Sequence, residues 1–276
     1  MDDSANGPLV FEYVRLLGEL RPQAFIMENV KGILSAPIDW WMKLPEGNNG
    51  KRIPGLHGTL VQELLTKFRD LGYTVDYATL NAADYGVPQV RWRTFFIGFR
   101  DGQRPRFPEP THSETAGLFT SPWASIREVM AIDNDTSHRN KFSPRKLGYL
   151  KLVPAGSNWR SLPVKLQQES MGKAFYAKGG RSGWWRRLSF DQPAPTILTE
   201  PQQASTSLCH PTEDRPLSVR ECARIQTFPD EWEFCGRGAE QYRMVGNSVP
   251  VGLAEAVGRS VAEVLRETRR SAKAIC

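Results

Sequence analysis

Apolar positions recur at two different spacings in the first hundred residues, and the spacing changes several times. An amphipathic helix is predicted over residues 10–17, ending before Pro22, and a second over residues 60–71, ending at Gly72. Short β-branched and aromatic runs predict strands at 24–30, 74–81 and 94–100. The order helix, strand, helix, strand, strand is typical of an α/β layer.

The rest of the chain has a different local composition. Residues 35–58 and 104–122 are rich in Pro, Gly or Asn and predict irregular structure, and the segment after them, with Gly179-Gly180, predicts a second lobe of short strands and loops. The sequence Ser218-Val219-Arg220-Glu221 is a capping box, which predicts a helix that stops before Pro229. A long final helix is predicted to begin at Pro250, with an apolar side made of Val251, Ala254, Val257, Val261 and Val264.

Composition places the chain among ordinary globular proteins. Its 276 residues are 40% hydrophobic and 24% charged, which is enough for one core or for a core and a smaller lobe. No apolar run is long enough to cross a membrane, and the acidic start does not fit a signal peptide. The four cysteines, Cys209, Cys222, Cys235 and Cys276, lack the spacing of a zinc site, so we expect no metal and interpret them as reduced thiols of a cytoplasmic protein.

Positive charge is concentrated in one segment. The net charge is +6, yet residues 139–190 alone hold twelve Lys or Arg and a single acid, Glu169. The same window also holds aromatic residues, among them Trp159, Phe175, Tyr176, Trp184 and Trp185. Basic residues mixed with aromatic ones favour a nucleic-acid-binding surface, although charge alone also fits a solvated basic face.

Candidate chemistry begins at Glu28, which lies at the carboxyl end of the apolar strand 24–30. In open α/β sheets ligands bind at this end of the strands, so Glu28 is a candidate working acid. Three later segments accompany Glu28-Asn29-Val30. They are Gly86-Val87-Pro88-Gln89-Val90-Arg91-Trp92-Arg93, the stretch 215–229 that contains Arg220-Glu221-Cys222-Ala223-Arg224, and Gly246-Asn247-Ser248-Val249-Pro250. Each of the four segments is a weak signal by itself.

In this order and spacing, the four segments resemble the later motifs of the DNA cytosine carbon-5 methyltransferases. The resemblance covers most of the chain and implies an α/β fold, here a partial Rossmann-like S-adenosylmethionine-dependent methyltransferase domain with a smaller, mostly β and loop target-recognition lobe. It implies that residues 1–100 are part of the catalytic domain and 101–212 the recognition lobe. Residues 213–245 would form a helix closing that lobe, and 246–276 would return to the catalytic domain. The resemblance implies double-stranded DNA as the partner of a nucleoid-associated protein of the cytoplasm, and it is compatible with a restriction–modification system.

The resemblance also implies roles for individual residues. Glu28 would hydrogen-bond N3 and the 4-amino group of a flipped cytosine and relieve the negative charge formed when a thiolate adds to carbon-6. Arg91 is our candidate for contact with the base and Arg93 for orientation, since a guanidinium keeps its charge and can hold a carbonyl or a phosphate. Asn247, Ser248 and Val249 would contact the methyl donor S-adenosylmethionine. The residues expected to carry the motifs structurally are Asn29, Val30, Gln89, Arg220 and Glu221.

The chain departs from the family in one respect. The family's nucleophile is a cysteine in a Pro-Cys context before the ENV strand, and its Gly-rich donor-binding turn comes earlier still. No cysteine precedes Glu28, and none of the four present matches the nucleophile motif, so we expect none of them to be the nucleophile. The absent part would supply neighbours for the strand 24–30 in the middle of a parallel sheet, and without it that strand would keep an open, apolar edge.

Three hypotheses therefore compete. In the first, a complementary polypeptide supplies the missing motifs of a split enzyme, and this chain alone is inactive. In the second, the chain is a truncated or mis-started product of a complete enzyme. In the third, it is a non-catalytic, sequence-specific DNA-binding fragment. The DNA just upstream of the Met1 codon discriminates them, since an in-frame Pro-Cys motif would indicate mis-starting and a separate small reading frame a split enzyme.

Overall fold

A computed structural model describes residues 9–37, 58–117, 120–132, 135–177 and 183–275. Among these, the helices are α1 (Leu9–Leu20), α2 (Thr59–Asp70), α3 (Pro144–Leu150), α4 (Val164–Met171), α5 (Val219–Ile225), α6 (Gly238–Asn247) and α7 (Val251–Ile275). The strands are β1 (Ala24–Val30), β2 (Thr74–Asn81), β3 (Gln89–Val90), β4 (Trp92–Phe99), β5 (His112–Ser113), β6 (Ser121–Pro122) and β7 (Ala194–Pro195). The mixed α/β class is confirmed, and most of the loop predicted over 35–58 lies outside the described residues.

The chain divides into two compact units. The first unit comprises Met1–Leu80, Trp92–Glu109 and Ala256–Cys276, and the second comprises Asn81–Arg91 and Pro110–Glu255. The long helix α7 therefore begins in the second unit and ends in the first. The stretch between β2 and β4, which holds the Gln89 and Arg91 motif, belongs to the second unit.

A three-stranded sheet in the order β1-β4-β2 organises the first unit. Strand β1 runs antiparallel to β4, with Phe25 opposite Gly98 and Met27 opposite Phe96. Gly98 is required there, because a Cβ atom on it would lie 2.2 Å from the Phe25 ring. Without further strands, we expected strand 24–30 to keep an open edge. Among the described residues β4 is the middle strand of this sheet and β1 lies at its edge, with the antiparallel β4 as its neighbour.

One face of this sheet is covered by α1 and α2. The two helices were predicted from their apolar spacing, and their apolar stripes pack with Phe25, Met27 and Phe96 in a single buried cluster. Leu60, Leu64 and Phe68 of this cluster are completely inaccessible to solvent. Because β1 side chains alternate, Ile26, Glu28 and Val30 point to the opposite face, where Ile26 and Val30 remain partly exposed.

The segment 101–212 was predicted to be mostly β and loop, and most of its described residues are loop. Its described strands are two residues long, and it also contains the short helices α3 and α4 with several 3₁₀ turns. Helix α3 begins at a good capping site, since the Ser143 hydroxyl accepts from the Lys146 N–H and Pro144 occupies the first turn. Residues 213–245 also hold the start of a second helix, α6, which the sequence analysis did not predict.

Part of the aromatic content of the basic segment is core. Trp159 and Trp185 are buried in a cluster with Phe142, Tyr149 and Leu150. Phe175 and Trp184 are packed against that cluster, whereas Tyr176 is 73% exposed. The aromatic residues therefore stabilise this part of the unit, and the case for nucleic-acid binding rests mainly on its charges.

Candidate active site and donor-binding turn

Glu28 and Arg93 form an ion pair on the face of the sheet opposite α1 and α2. Glu28 lies opposite Phe95 and Arg93 opposite Val30 in the antiparallel register, so the two side chains are diagonal neighbours on one face. Long side chains can bridge such a diagonal. The Arg93 Nε lies 2.7 Å from a Glu28 carboxylate oxygen.

The pair is mostly withdrawn from solvent. The Arg93 side chain is 13% exposed and the Glu28 side chain 29%. Burial lowers the pKa of Arg93, and the charge and hydrogen bond of Glu28 oppose that shift. Arg93 Nη1 also donates to the Trp92 carbonyl at 2.9 Å, which orients the guanidinium further. The arrangement holds one carboxylate and one guanidinium side by side, able to meet adjacent acceptor and donor groups of a planar ligand.

An exposed aromatic residue lies beside this pair in sequence. Trp92 is 45% exposed and lies under the Lys31 ammonium group, which is 5.6 Å from the ring centroid. Asn29 turns its side chain to its own backbone and accepts from the Val30 N–H at 2.8 Å. Asn29 and Val30 thus share a hydrogen bond at the end of the strand, and their structural role stays a prediction.

Arg91 lies elsewhere and does different work. It is completely buried in the second unit, where its Nη1 donates to the Ile197 carbonyl at 2.8 Å and its Nη2 to the Gly246 carbonyl at 2.7 Å. Its own N–H donates to the side chain of Asn81 at 3.1 Å. Arg91 and Arg93 are two residues apart, a spacing that predicts both on one side of a strand. The structure gives them separate partners, and it provides no accessible guanidinium at Arg91 for a base.

Gln89 supports the same part of the second unit. It is completely buried, and its side-chain oxygen accepts from the Ile197 N–H at 2.9 Å. The short strands β3 and β7 pair in parallel beside it. Gln89 and Arg91 thus attach the segment around Ile197 to the stretch that precedes β4.

The predicted donor-binding residues form the turn between α6 and α7. Asn247 is the last residue of α6 and is exposed, while Ser248 and Val249 are half-buried. The Ser248 hydroxyl donates to the Met244 carbonyl at 2.6 Å. A turn with buried neighbours, Gly246 and Pro250, and an exposed amide side chain fits a polar small-molecule ligand held against a fixed backbone.

Arg220 and Glu221 lie in the first turn of α5. Ser218 and Glu221 form the predicted capping box at the start of α5. The buried Glu221 carboxylate accepts two hydrogen bonds from Arg215, both at 2.8 Å. These contacts, together with His210, stabilise the interior of the second unit.

The cysteines that the structure describes all belong to the second unit, whereas Glu28 belongs to the first. Cys209 and Cys222 are buried in the second unit; burial raises the pKa of the Cys209 thiol to about 11 and raises that of Cys222 as well. Cys235 is exposed in the same unit, and Cys276 lies outside the described residues. The part of the chain that the structure describes contains no group of His, Cys, Asp and Glu able to hold a metal ion. No helix within the described ranges has the length and apolar character of a membrane span.

Comparison with known proteins identifies the family. The sequence profile of the C-5 cytosine-specific DNA methylases matches residues 1–263. The chain belongs to this family. Members of this family are DNA methylases specific for carbon-5 of cytosine.

Curated relatives agree with this assignment. The chain is 36% identical to the Type II methyltransferase M.Sau96I of Staphylococcus aureus over 95% of its own length and 56% of that protein. It is 37% identical to the Type II methyltransferase M.Eco47II of Escherichia coli over 95% of its own length and 59% of that protein. The chain thus spans a little over half the length of these relatives.

Solved structures support the fold. The S. pombe Dnmt2 methyltransferase has a TM-score of 0.53 at 13% identity, with 91% of this chain and 70% of that chain covered. The Entamoeba histolytica methyltransferase EhMeth has a TM-score of 0.52 at 14% identity, and the match covers 96% of this chain and 70% of the EhMeth chain. At such identities the likeness concerns the fold alone.

Sequence reasoning missed two features of this region. One is helix α6, whose weak signals are Glu240 in its first turn and the apolar pair Tyr242 and Val245. The other is the dipeptide Gln226-Thr227, which follows α5 directly and contacts both ends of the donor-binding turn. The available signal was Thr227 itself, because a helix commonly ends on glycine at that position.

Proposed function

We propose that this chain carries part of the active site of a DNA cytosine-5 methyltransferase, which transfers a methyl group from S-adenosylmethionine to carbon-5 of a flipped cytosine in duplex DNA. The observation that carries the proposal is the ion pair of Glu28 and Arg93 at the end of β1. Membership of the family supplies the reaction class, and the pair supplies the two groups that this reaction needs from the chain.

The chemistry assigns a role to each member of the pair. When a thiolate adds to carbon-6, negative charge develops on the ring, and a proton placed on N3 by Glu28 converts the ring to a neutral enamine. Carbon-5 then takes the methyl group, a base removes the carbon-5 proton, the thiolate leaves carbon-6, and N3 returns its proton to Glu28, so that the neutral aromatic ring is restored. Arg93 faces the same site and takes the role of holding the cytosine 2-carbonyl, which we had expected of Arg91. S-adenosylmethionine, when bound, supplies an electrophilic methyl group with a neutral thioether as leaving group, and Asn247, Ser248 and Val249 would hold it.

The ion pair also sets a condition for the transfer of a proton from Glu28 to N3. A guanidinium 2.7 Å from a carboxylate oxygen stabilises the charged form of the acid. Transfer of a proton to N3 therefore requires that Arg93 move part of its hydrogen bonding to the substrate. Base binding and protonation of Glu28 are coupled in this proposal.

In this proposal, the thiol nucleophile is not one of the cysteines of this chain. No cysteine precedes Glu28, and the buried Cys209 and Cys222 have raised pKa values that disfavour a thiolate. A complementary polypeptide, or further chain of the same protein, would supply the Pro-Cys and Gly-rich segments. We call this chain together with such a polypeptide the completed enzyme.

The basic segment is the proposed DNA-recognition surface. Seven of its cationic residues are exposed: Arg139, Lys141, Arg145, Lys151, Arg160, Lys165 and Lys173. Solvent-exposed cations can neutralise phosphates and release counterions, so binding to duplex DNA should weaken steeply with salt. Binding without salt dependence would contradict this assignment.

The decisive test compares Glu28→Gln with Glu19→Gln in the completed enzyme. Glu19 lies in the same unit in an exposed pair with Arg15, so it is a charge-matched control. Glu28→Gln keeps the shape but removes the acid, and we expect kcat to fall about 100-fold or more while the Kd for DNA changes less than about twofold. The control should behave as the unmodified enzyme.

Two outcomes would contradict the proposal. Equal loss of methyl transfer and DNA binding in Glu28→Gln would indicate a structural role for Glu28. Formation of 5-methylcytosine by this chain alone would show that the nucleophile lies within it. Salt-dependent DNA binding together with a completed enzyme that never transfers methyl groups would instead favour the non-catalytic DNA-binding alternative.

A further inference from the structure

The turn between α6 and α7 is held at its first end by two buried side chains. The last carbonyls of a helix have no partners within the helix. In α6 the Val245 carbonyl accepts from the Gln226 side-chain amide, and the Gly246 carbonyl accepts from Arg91 Nη2 at 2.7 Å. Arg91 also brings positive charge to the negative end of the helix dipole.

The same dipeptide holds the second end of the turn. The first N–H groups of a helix likewise lack internal partners. In α7 the Val251 N–H donates to the Gln226 carbonyl at 3.0 Å, and the Gly252 N–H donates to the Thr227 hydroxyl at 2.9 Å. Gln226 and Thr227 therefore cap α7 from another segment of the chain, while Gln226 also closes α6.

Thr227 adopts a backbone conformation that a threonine rarely takes. Its φ is +60°, in the left-handed region, which β-branched residues avoid. It follows the end of α5, where glycine commonly takes this conformation without strain. Glycine would have no hydroxyl, however, and it is the hydroxyl that reaches Gly252. The strained residue thus serves the turn rather than the helix that it terminates.

Close packing leaves the turn little freedom. A Cβ atom on Gly246 would lie 2.6 Å from the backbone nitrogen of Thr199, and one on Gly252 would lie 3.1 Å from a methyl group of Val87. Both glycines therefore permit backbone to approach its neighbours closely. With the four capping contacts, they fix residues 247–250 from both sides.

We infer that Thr227, Gln226 and Arg91 are positioning residues for the methyl donor, acting through the turn Asn247–Val249. This inference rests on the proposed function, because that proposal assigns the turn to S-adenosylmethionine. Thr227 is the member that can be tested most sharply, since its hydroxyl and its backbone conformation can be changed separately.

The first experiment follows hydrogen exchange of the Val251 and Gly252 amides in the full chain. Thr227→Val removes the hydroxyl and keeps the shape, Thr227→Gly removes both hydroxyl and strain, and Thr227→Ser keeps the hydroxyl. We expect exchange about fivefold faster in the Val and Gly variants and nearly unchanged in Ser. If Gly exchanges as slowly as the unmodified chain, Thr227 only terminates α5 and the inference is overturned.

The second experiment measures the completed enzyme with the same three variants. We expect the KM for S-adenosylmethionine to rise about fivefold in Thr227→Val and Thr227→Gly, with rescue in Thr227→Ser and no change in the Kd for DNA. An unchanged KM for the donor, or a rise confined to the DNA substrate, would refute the positioning role. If the completed enzyme without any substitution transfers no methyl group, the proposed function is contradicted. The hydrogen-exchange result would still test whether Gln226 and Thr227 hold the turn between α6 and α7.

Discussion

Arg187 is the side chain on which the stability of the basic segment most depends. It is 7% exposed and donates to the Asp214 carboxylate at 2.6 Å. Its remaining donors reach four backbone carbonyls, those of Leu150, Val153, His210 and Glu213, at 2.8–3.0 Å. One guanidinium thus joins the end of α3 to the loop that leads towards α5.

The change Arg187→Met keeps most of the stem but removes every donor. A buried carbonyl left without a partner costs about 1–3 kcal/mol. Asp214 is 41% exposed and can return to water, so the loss concerns mainly the carbonyls. The Leu150 and Glu213 carbonyls also accept from the N–H groups of Val153 and Arg215, so the carbonyls of Val153 and His210 lose most. For two such carbonyls we expect a total destabilisation of about 3–5 kcal/mol. That is a large share of the roughly 5–15 kcal/mol that stabilises a typical domain.

Urea unfolding followed by tryptophan fluorescence measures this effect, because Trp159 and Trp185 are buried in the affected cluster. With a slope of about 2–3 kcal/mol per molar urea, the midpoint should fall by roughly 1–2 M. Lys165→Met is the control, since it removes one positive charge from an exposed site of the same segment. Equal midpoints for the two variants would refute the reasoning, because charge alone would then explain the change.

Two further predictions concern titratable groups. In the native chain at about pH 8, iodoacetamide should label Cys235, whereas Cys209 and Cys222 should stay unmodified until urea is added. Both of the latter are buried and have raised pKa values. Mass spectrometry that shows rapid labelling of Cys209 or Cys222 in the native chain would contradict this. Burial first, then Arg215, lowers the pKa of His210 below its ordinary 6.5. The unfolded chain therefore binds the proton first as the pH falls below 6.5, so stability should decline there, and His210→Gln should flatten the urea midpoint between about pH 6.5 and 5.5. An unchanged pH profile in that variant would show that other groups cause the decline.

The sequence alone determined the local elements and the family. Strands 24–30 and 74–81 and the capping box at Ser218 were predicted at the positions where the structure has them. Each depends on neighbouring residues, through side-chain alternation or a contact three residues away, so the pattern is visible in one dimension. The four ordered motifs likewise identified the cytosine methylases, because they are contiguous short segments.

Tertiary structure alone decided the partners of those residues. Alternation placed Arg91 and Arg93 on one side, yet Arg93 pairs with Glu28 and Arg91 with the carbonyls of Ile197 and Gly246, which lie more than one hundred residues further along the chain. The aromatic residues of the basic segment were expected on a binding surface, and two of its three tryptophans, Trp159 and Trp185, are core because they pack with residues of α3 and α4. Periodicity states which side of an element a residue occupies. Which group meets it there depends on contacts between distant segments, and only the folded chain brings those together.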